Sequence, residues 1–169
     1  MDEHMKTPMD NKTLTVGLSS RLDNLGIVLP APPTPLGAYV ESSDTGNLLF
    51  LTGTLPVVDR KLAISGRLGE NLSVKEGQDA ARIAVLNALA AAKEHLGNLE
   101  RIKKLVKLTV LIVTTEQFVD HAAVADGASN LFVQIFGAVP GHTRLVYGVQ
   151  SLPIGAPVIV ETIFEIGPA

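Results

Sequence analysis

The chain has 169 residues, 46% hydrophobic and 18% charged, with a net charge of −3, enough for one domain that buries about 70% of its unfolded surface. That charge gives no overall attraction to nucleic acid or to an anionic membrane, and the absence of cysteine excludes disulfides, thiolate catalysis and cysteine-held metal or iron–sulfur sites. The start, MDEHMKTPMD, has early acids and no apolar core, and no run reaches the about 18 apolar residues of a membrane helix, so a soluble cytoplasmic protein is expected.

After a polar dozen residues, Val16, Leu18, Leu22 and Leu25 recur at helical spacing before Gly26, which predicts a short helix. LPAPPTPLG follows, with four prolines in nine positions, and reads as an extended strap. From Tyr39 the pattern predicts an antiparallel meander: AYVES, a turn at Asp44–Asn47, LLFLTG, and a weaker strand around RKLAISG. Ser73 and Glu76 make a capping box for a helix that runs to Leu96 and stops at Gly97. Its Ala81, Ala84, Ala88, Ala91 and Ala92 form a small-residue face suited to close packing.

Leu105 to Val113 is apolar on both faces apart from Lys107 and Thr109, which suits a central strand. A second helix is expected from Thr114 and Gln117, with Phe118, Ala122, Ala125, Ser129, Phe132 and Phe136 at helical spacing. Two strands close the chain, Arg144 to Val149 and Val158 to Ile166, joined by a turn around Leu152 and Pro153. On the last strand Ile159, Glu161, Ile163 and Glu165 share one face. The order predicts an α+β fold with two main helices on one face of a mixed sheet.

Few constellations carry chemistry. His4, His95, His121 and His142 are scattered without metal-ligand spacing, and Asp120 beside His121 points about 100° away on a helix, so no metal site is expected. Gly66 and Gly69 lack the spacing and lysine of a phosphate loop and read as a turn. Arg101, Lys103, Lys104 and Lys107 have no aromatic platform beside them, so nucleic acid is not an expected partner. No nucleophile elbow or Ser–His–Asp order is present. Arg144 stands out as a charge among residues that favour burial, preceded by His142 and followed by Glu161 and Glu165 on the next strand. A buried guanidinium needs an acceptor, which is either an internal partner, Glu161, or the carboxylate of a ligand.

These residues sit among landmarks that bring a resemblance: PLGAYVES, GNLLFLTGTLP, GQDAARIAVLNALAAAKEHLG, VKLTVLIVTTEQF and HTRLVYGVQSLPIGAPVIVETIFEI. In that order the chain resembles the Rid family of reactive intermediate deaminases, also called YjgF-like or L-PSP endoribonucleases, over residues 35–166. Residues 1–34 then form an extension to a single domain, 35–169. The resemblance implies a chorismate-mutase-like fold, a homotrimer with ligand clefts between subunits, and no metal or organic cofactor. It implies that Arg144 binds a small carboxylate ligand, with Tyr39 and Gly53 shaping the cleft, and Thr52 and His142 are further candidate binding residues beside them. It also implies hydrolysis of enamine or imine acids such as 2-aminoacrylate, with Glu161 as the surviving catalytic glutamate. Ile159 stands where the family's other glutamate is expected, Val146 where it has a cysteine and Ala125 where it has an asparagine. A non-catalytic carboxylate-binding protein is the alternative, and an endoribonuclease the third reading.

Overall fold

The structure, a computed structural model, describes residues 17–137 and 141–168. Val16 and the polar start lie outside the described residues. The first helix, α1 (Leu18–Asn24), buries Leu18 and Leu22 and ends before Gly26, whose φ of 65° suits glycine. Its N-terminus is held from far along the chain, because the Glu100 carboxylate accepts from the backbone N–H groups of Leu18 and Ser19. The proline strap runs irregularly from there to the sheet.

Of AYVES only the last residue, Ser42, enters a strand. Tyr39 donates its backbone N–H to Gly37, its hydroxyl accepts from the N–H of Leu36, and Tyr39 and Val40 face outward. The glycine turn wins over the strand-forming side chains. Pairing begins instead at β1 (Ser42–Thr45), which forms a hairpin with β2 (Leu48–Leu51) around Gly46. The expected meander also divides: β3 (Val57–Val58) and β4 (Lys61–Leu62) form a separate two-stranded ribbon. Asp59 and Arg60 at its tip take positive φ, the backbone of a tight primed turn.

The long helix α2 (Val74–Leu96) has its capping box intact, Ser73 and Glu76 each serving the other's backbone, and stops at Gly97 with φ 79°. Strand β5 (Ile102–Val113) is interior to the sheet, starts three residues earlier than the apolar run, and holds Lys103, Lys104 and Lys107 along its length. The next helix, α3 (His121–Phe136), starts later than the Thr114 and Gln117 signal, at Asp120. Phe118 remains outside it and stacks edge-on to His121.

Strands β6 (Thr143–Val149) and β7 (Val158–Ile166) lie where the sequence pattern places them. The main sheet has the order β1-β2-β7-β5-β6, with β5 and β6 parallel across the α3 connection and the other pairs antiparallel. Helices α2 and α3 cover one face, where Leu49, Leu108, Val110, Ile112, Val158, Val160 and Phe164 are buried. The alanine face of α2 is buried with them, which lets α3 come close: a Cβ on Gly127 would lie 2.4 Å from the Gln78 carbonyl oxygen. Among the described residues no layer covers the other sheet face, which shows Phe50, Leu145 and Tyr147, each 40% or more exposed.

Candidate functional site

Strand register decides which predicted residues can meet. Leu108 of β5 is in register with Arg144 of β6 and Thr162 of β7, and its neighbour Thr109 with Leu145 and Glu161. Successive residues of a strand point to opposite faces, so Arg144 faces the helix layer and Glu161 the open face. The internal pairing of Arg144 with Glu161, one of the two alternatives the sequence leaves open, is therefore absent. Its acceptors come from α3, one helical turn apart: Nη1 donates to Asp126 Oδ1 at 2.7 Å and to Ser129 Oγ at 3.0 Å. Neither Nε nor Nη2 has a partner among the described residues.

Arg144 is also less buried than its apolar neighbours suggest. It lies on an edge strand, and a quarter of its side-chain surface is open. His142 joins the same group, with Nε2 at 3.1 Å from Ser129 Oγ and its ring edge-on to Phe132. Burial, and then the neighbouring Arg144 charge, lower the His142 pKa from its ordinary value, which favours the neutral ring. Arginine can only donate, so Ser129 accepts from Arg144 and is able to hand its own proton to a neutral His142.

Asp126 and Ser129 belong to this group but are not legible as site residues in the sequence, where the one hint is their i,i+3 spacing on a helix that precedes Arg144. The position expected to differ, Ala125, is fully buried beside them. Val146, which shares the face of Arg144, is half-buried against the core.

The remaining predicted residues gather at a second place, the end of β2 beside β7. The Thr52 N–H donates to the Glu41 carbonyl, and Thr54 exchanges both backbone bonds with Val160. Between them Gly53 is pressed by Ile159: a Cβ on that glycine would sit 2.8 Å from an isoleucine methyl. The residue standing in place of a glutamate thus packs an apolar branch on the Gly53 backbone. Tyr39 and Glu41 lie on the strap leading to this edge, and burial raises the Glu41 pKa.

Two surface hollows, of about 260 and 750 Å³, lie around Arg67 at the far end of β6, and neither is lined by Arg144, Gly53 or Glu161. Arg67 there is spent on the carbonyls of Thr114 and Gln150. Part of the basic cluster is spent likewise, with Arg101 on the Gly167 carbonyl and Lys104 on Glu165. Among the described residues no group of three or more metal-ligating side chains occurs, and no helix is long and apolar enough to cross a membrane.

A mixed sheet with both long helices on one face, and an arginine presented from its edge strand, defines a YjgF-like α+β protein. Residues 19–166 match the family model described as "YjgF/chorismate_mutase-like, putative endoribonuclease". The chain belongs to this YjgF/RutC/Rid family. It is 39% identical to protein TCP17 of Trypanosoma cruzi over 150 residues, 88% of this chain and 94% of the relative. The crystal structure of Atu1372 from Agrobacterium tumefaciens superposes with a TM-score of 0.81 at 35% identity, covering 89% of this chain and 92% of that one. E. coli TdcF, solved with serine bound, shares the fold at a TM-score of 0.55 and 23% identity, covering 81% of this chain and 94% of that one.

Proposed function

We propose that the chain hydrolyses small enamine or imine acids, in clefts formed between copies of itself, with Arg144 holding the ligand carboxylate. The observation that carries this reading is the use of Arg144: one nitrogen is fixed by Asp126 and Ser129, which orients the planar fork while its Nε and Nη2 edge remains for a bidentate carboxylate. A guanidinium clamped in this way is a pre-positioned anion receptor.

The clefts lie between copies in this reading because Arg144 and Glu161 occupy opposite faces of one sheet. One subunit supplies Arg144, His142 and Ser129, and a neighbour in a homotrimer supplies Glu161 with the Tyr39, Thr52 and Gly53 edge. The exposed apolar side chains of the uncovered sheet face, Phe50, Leu145 and Tyr147, support such an assembly.

In the reaction, 2-aminoacrylate loses a proton from nitrogen and gains one at its methylene carbon, giving the imine. Water adds across the C=N bond, one proton going to nitrogen, and the carbinolamine expels ammonia to leave pyruvate. Arg144 stabilises the carboxylate beside the carbon under attack, and the partner subunit's Glu161 orients the water. A neutral His142, linked to the site through Ser129, is suited to take up and return a proton.

The test is ammonia release from freshly generated 2-aminoacrylate, followed for Arg144→Ala, Glu161→Gln and a mixture of the two reassembled together. Each variant alone is expected to be slow and the mixture to recover part of the rate, since mixed oligomers contain clefts with both residues intact. A wild-type protein no faster than buffer would end the deaminase reading. One observation favours a second reading, a carboxylate-binding protein without turnover: Ile159 packs a methyl branch on Gly53, at the position where the family resemblance implies a water-activating glutamate. Keto acids that raise the melting temperature of wild type but not of Arg144→Ala, without turnover, would select it.

A further inference from the structure

We propose that Thr109 is the positioning residue of Glu161: its hydroxyl donates to that carboxylate and so fixes where the water is held. This rests on the reading that Glu161 orients water in a cleft between copies. Thr109 lies on β5 directly opposite Glu161 of β7, and residues opposite each other in an antiparallel pair share a face with Cβ atoms about 5 Å apart. At that separation a rotation of the glutamate side chain brings a carboxylate oxygen to the threonine hydroxyl. Thr109 is 4% exposed, and its Oγ1 is buried without a hydrogen-bond partner among the described residues. A buried hydroxyl left unpaired is costly, and Thr143 and Thr54 avoid that cost by donating to the carbonyls of Val106 and Thr52.

Thr162 is the other threonine whose buried hydroxyl is unpaired, and the two differ in what stands across from them. Thr162 faces the helix layer opposite Leu108, an apolar side chain. Thr109 faces the uncovered side between Leu145 and Glu161, so the side chain across from it on β7 is a carboxylate. Glu161 itself is exposed in the single chain and makes no hydrogen bond or ion pair among the described residues. Once a copy covers this face, the carboxylate leaves water and needs donors from protein. Thr109 supplies one without moving its backbone, and a hydroxyl bonded to an ionised carboxylate is among the stronger hydrogen bonds. A carboxylate held from one side keeps its remaining lone pairs for the water.

Thr109→Val removes the hydroxyl at nearly constant volume, and Thr109→Ser keeps it. In the ammonia assay on the full chain, Thr109→Val is expected to lower kcat about tenfold, the scale of one hydrogen bond to a charged group, with KM unchanged because Arg144 still holds the ligand. Thr109→Ser should retain most of the wild-type kcat. In a Glu161→Gln background Thr109→Val should cost nothing further, since no carboxylate remains to be placed. The unfolding transition and sedimentation of each variant report that fold and assembly are kept, and Thr109→Ala against Thr109→Ser gives the same comparison if valine disturbs either. A Thr109→Val protein as fast as wild type, or a Thr109→Ser protein as slow as Thr109→Val, overturns the role of Thr109 while a slow Glu161→Gln leaves Glu161 in place. A Glu161→Gln protein as fast as wild type, or a wild type without turnover, overturns the reading of Glu161 and this inference with it.

Discussion

Replacing Arg144 by glutamine keeps a donor for Asp126 and Ser129 but removes the charge and the planar fork. Ligand affinity and ammonia release are expected to fall about a hundredfold, measured by titration and by steady-state rates. The neighbouring His142 gives a second outcome at this scale. Burial and Arg144 hold its pKa below 6.5, so the unfolded chain binds more protons at this ring than the folded one between the two pKa values. The contribution of this ring to stability is present above the ordinary histidine pKa and is lost as pH falls from there through the lowered folded value. His142→Gln should show a smaller loss of melting temperature between about pH 7.5 and about pH 5.5, and an identical loss would remove the histidine from this account. Arg144 was legible from sequence because a lone guanidinium among apolar residues demands an acceptor. The acceptor was not legible, since Asp126 and Ser129 reach it through the placing of α3 over β6.

Elements with local signals were the readable ones. The Ser73–Glu76 box, the Gly97 stop and the apolar run of β5 each carry their own cause within a few residues, and each element formed where its signal lay. AYVES failed as a strand because alternation within a five-residue run competes with a turn at Gly37, and nothing in the run shows whether a partner strand will be there. The start of α3 failed similarly, Phe118 fitting the helical period while packing on His121 from outside the helix. The meeting of α2 and α3 is the sharpest test at this scale. Gly127 lies against the backbone of Gln78, where a methyl group has no flexible neighbour to displace. Gly127→Ala is expected to cost about 1–3 kcal/mol in denaturant unfolding despite alanine's higher helix propensity. A neutral or stabilised variant would mean that the helices can separate freely.

For the whole molecule, sheet order matters most. Because β6 is an edge strand beside β5, Arg144 and Glu161 lie near each other in register but on opposite faces, which strand-by-strand patterning cannot reveal. If copies associate through the uncovered face, Leu145→Asp should sediment as a smaller species with its helix content intact and should lose turnover with it. Assembly unchanged in that variant would move the contact elsewhere. The capping of α1 by Glu100 bears on the order in which the protein takes shape. A helix of seven residues is too short to persist alone, and the carboxylate that holds its first N–H groups lies 82 residues downstream of Leu18. During synthesis the leading segment must therefore wait until α2 has emerged and the chain has reached β5. Helix α1, made before its cap, becomes ordered late, and a protease added to the nascent chain would find it open long after α2 has formed.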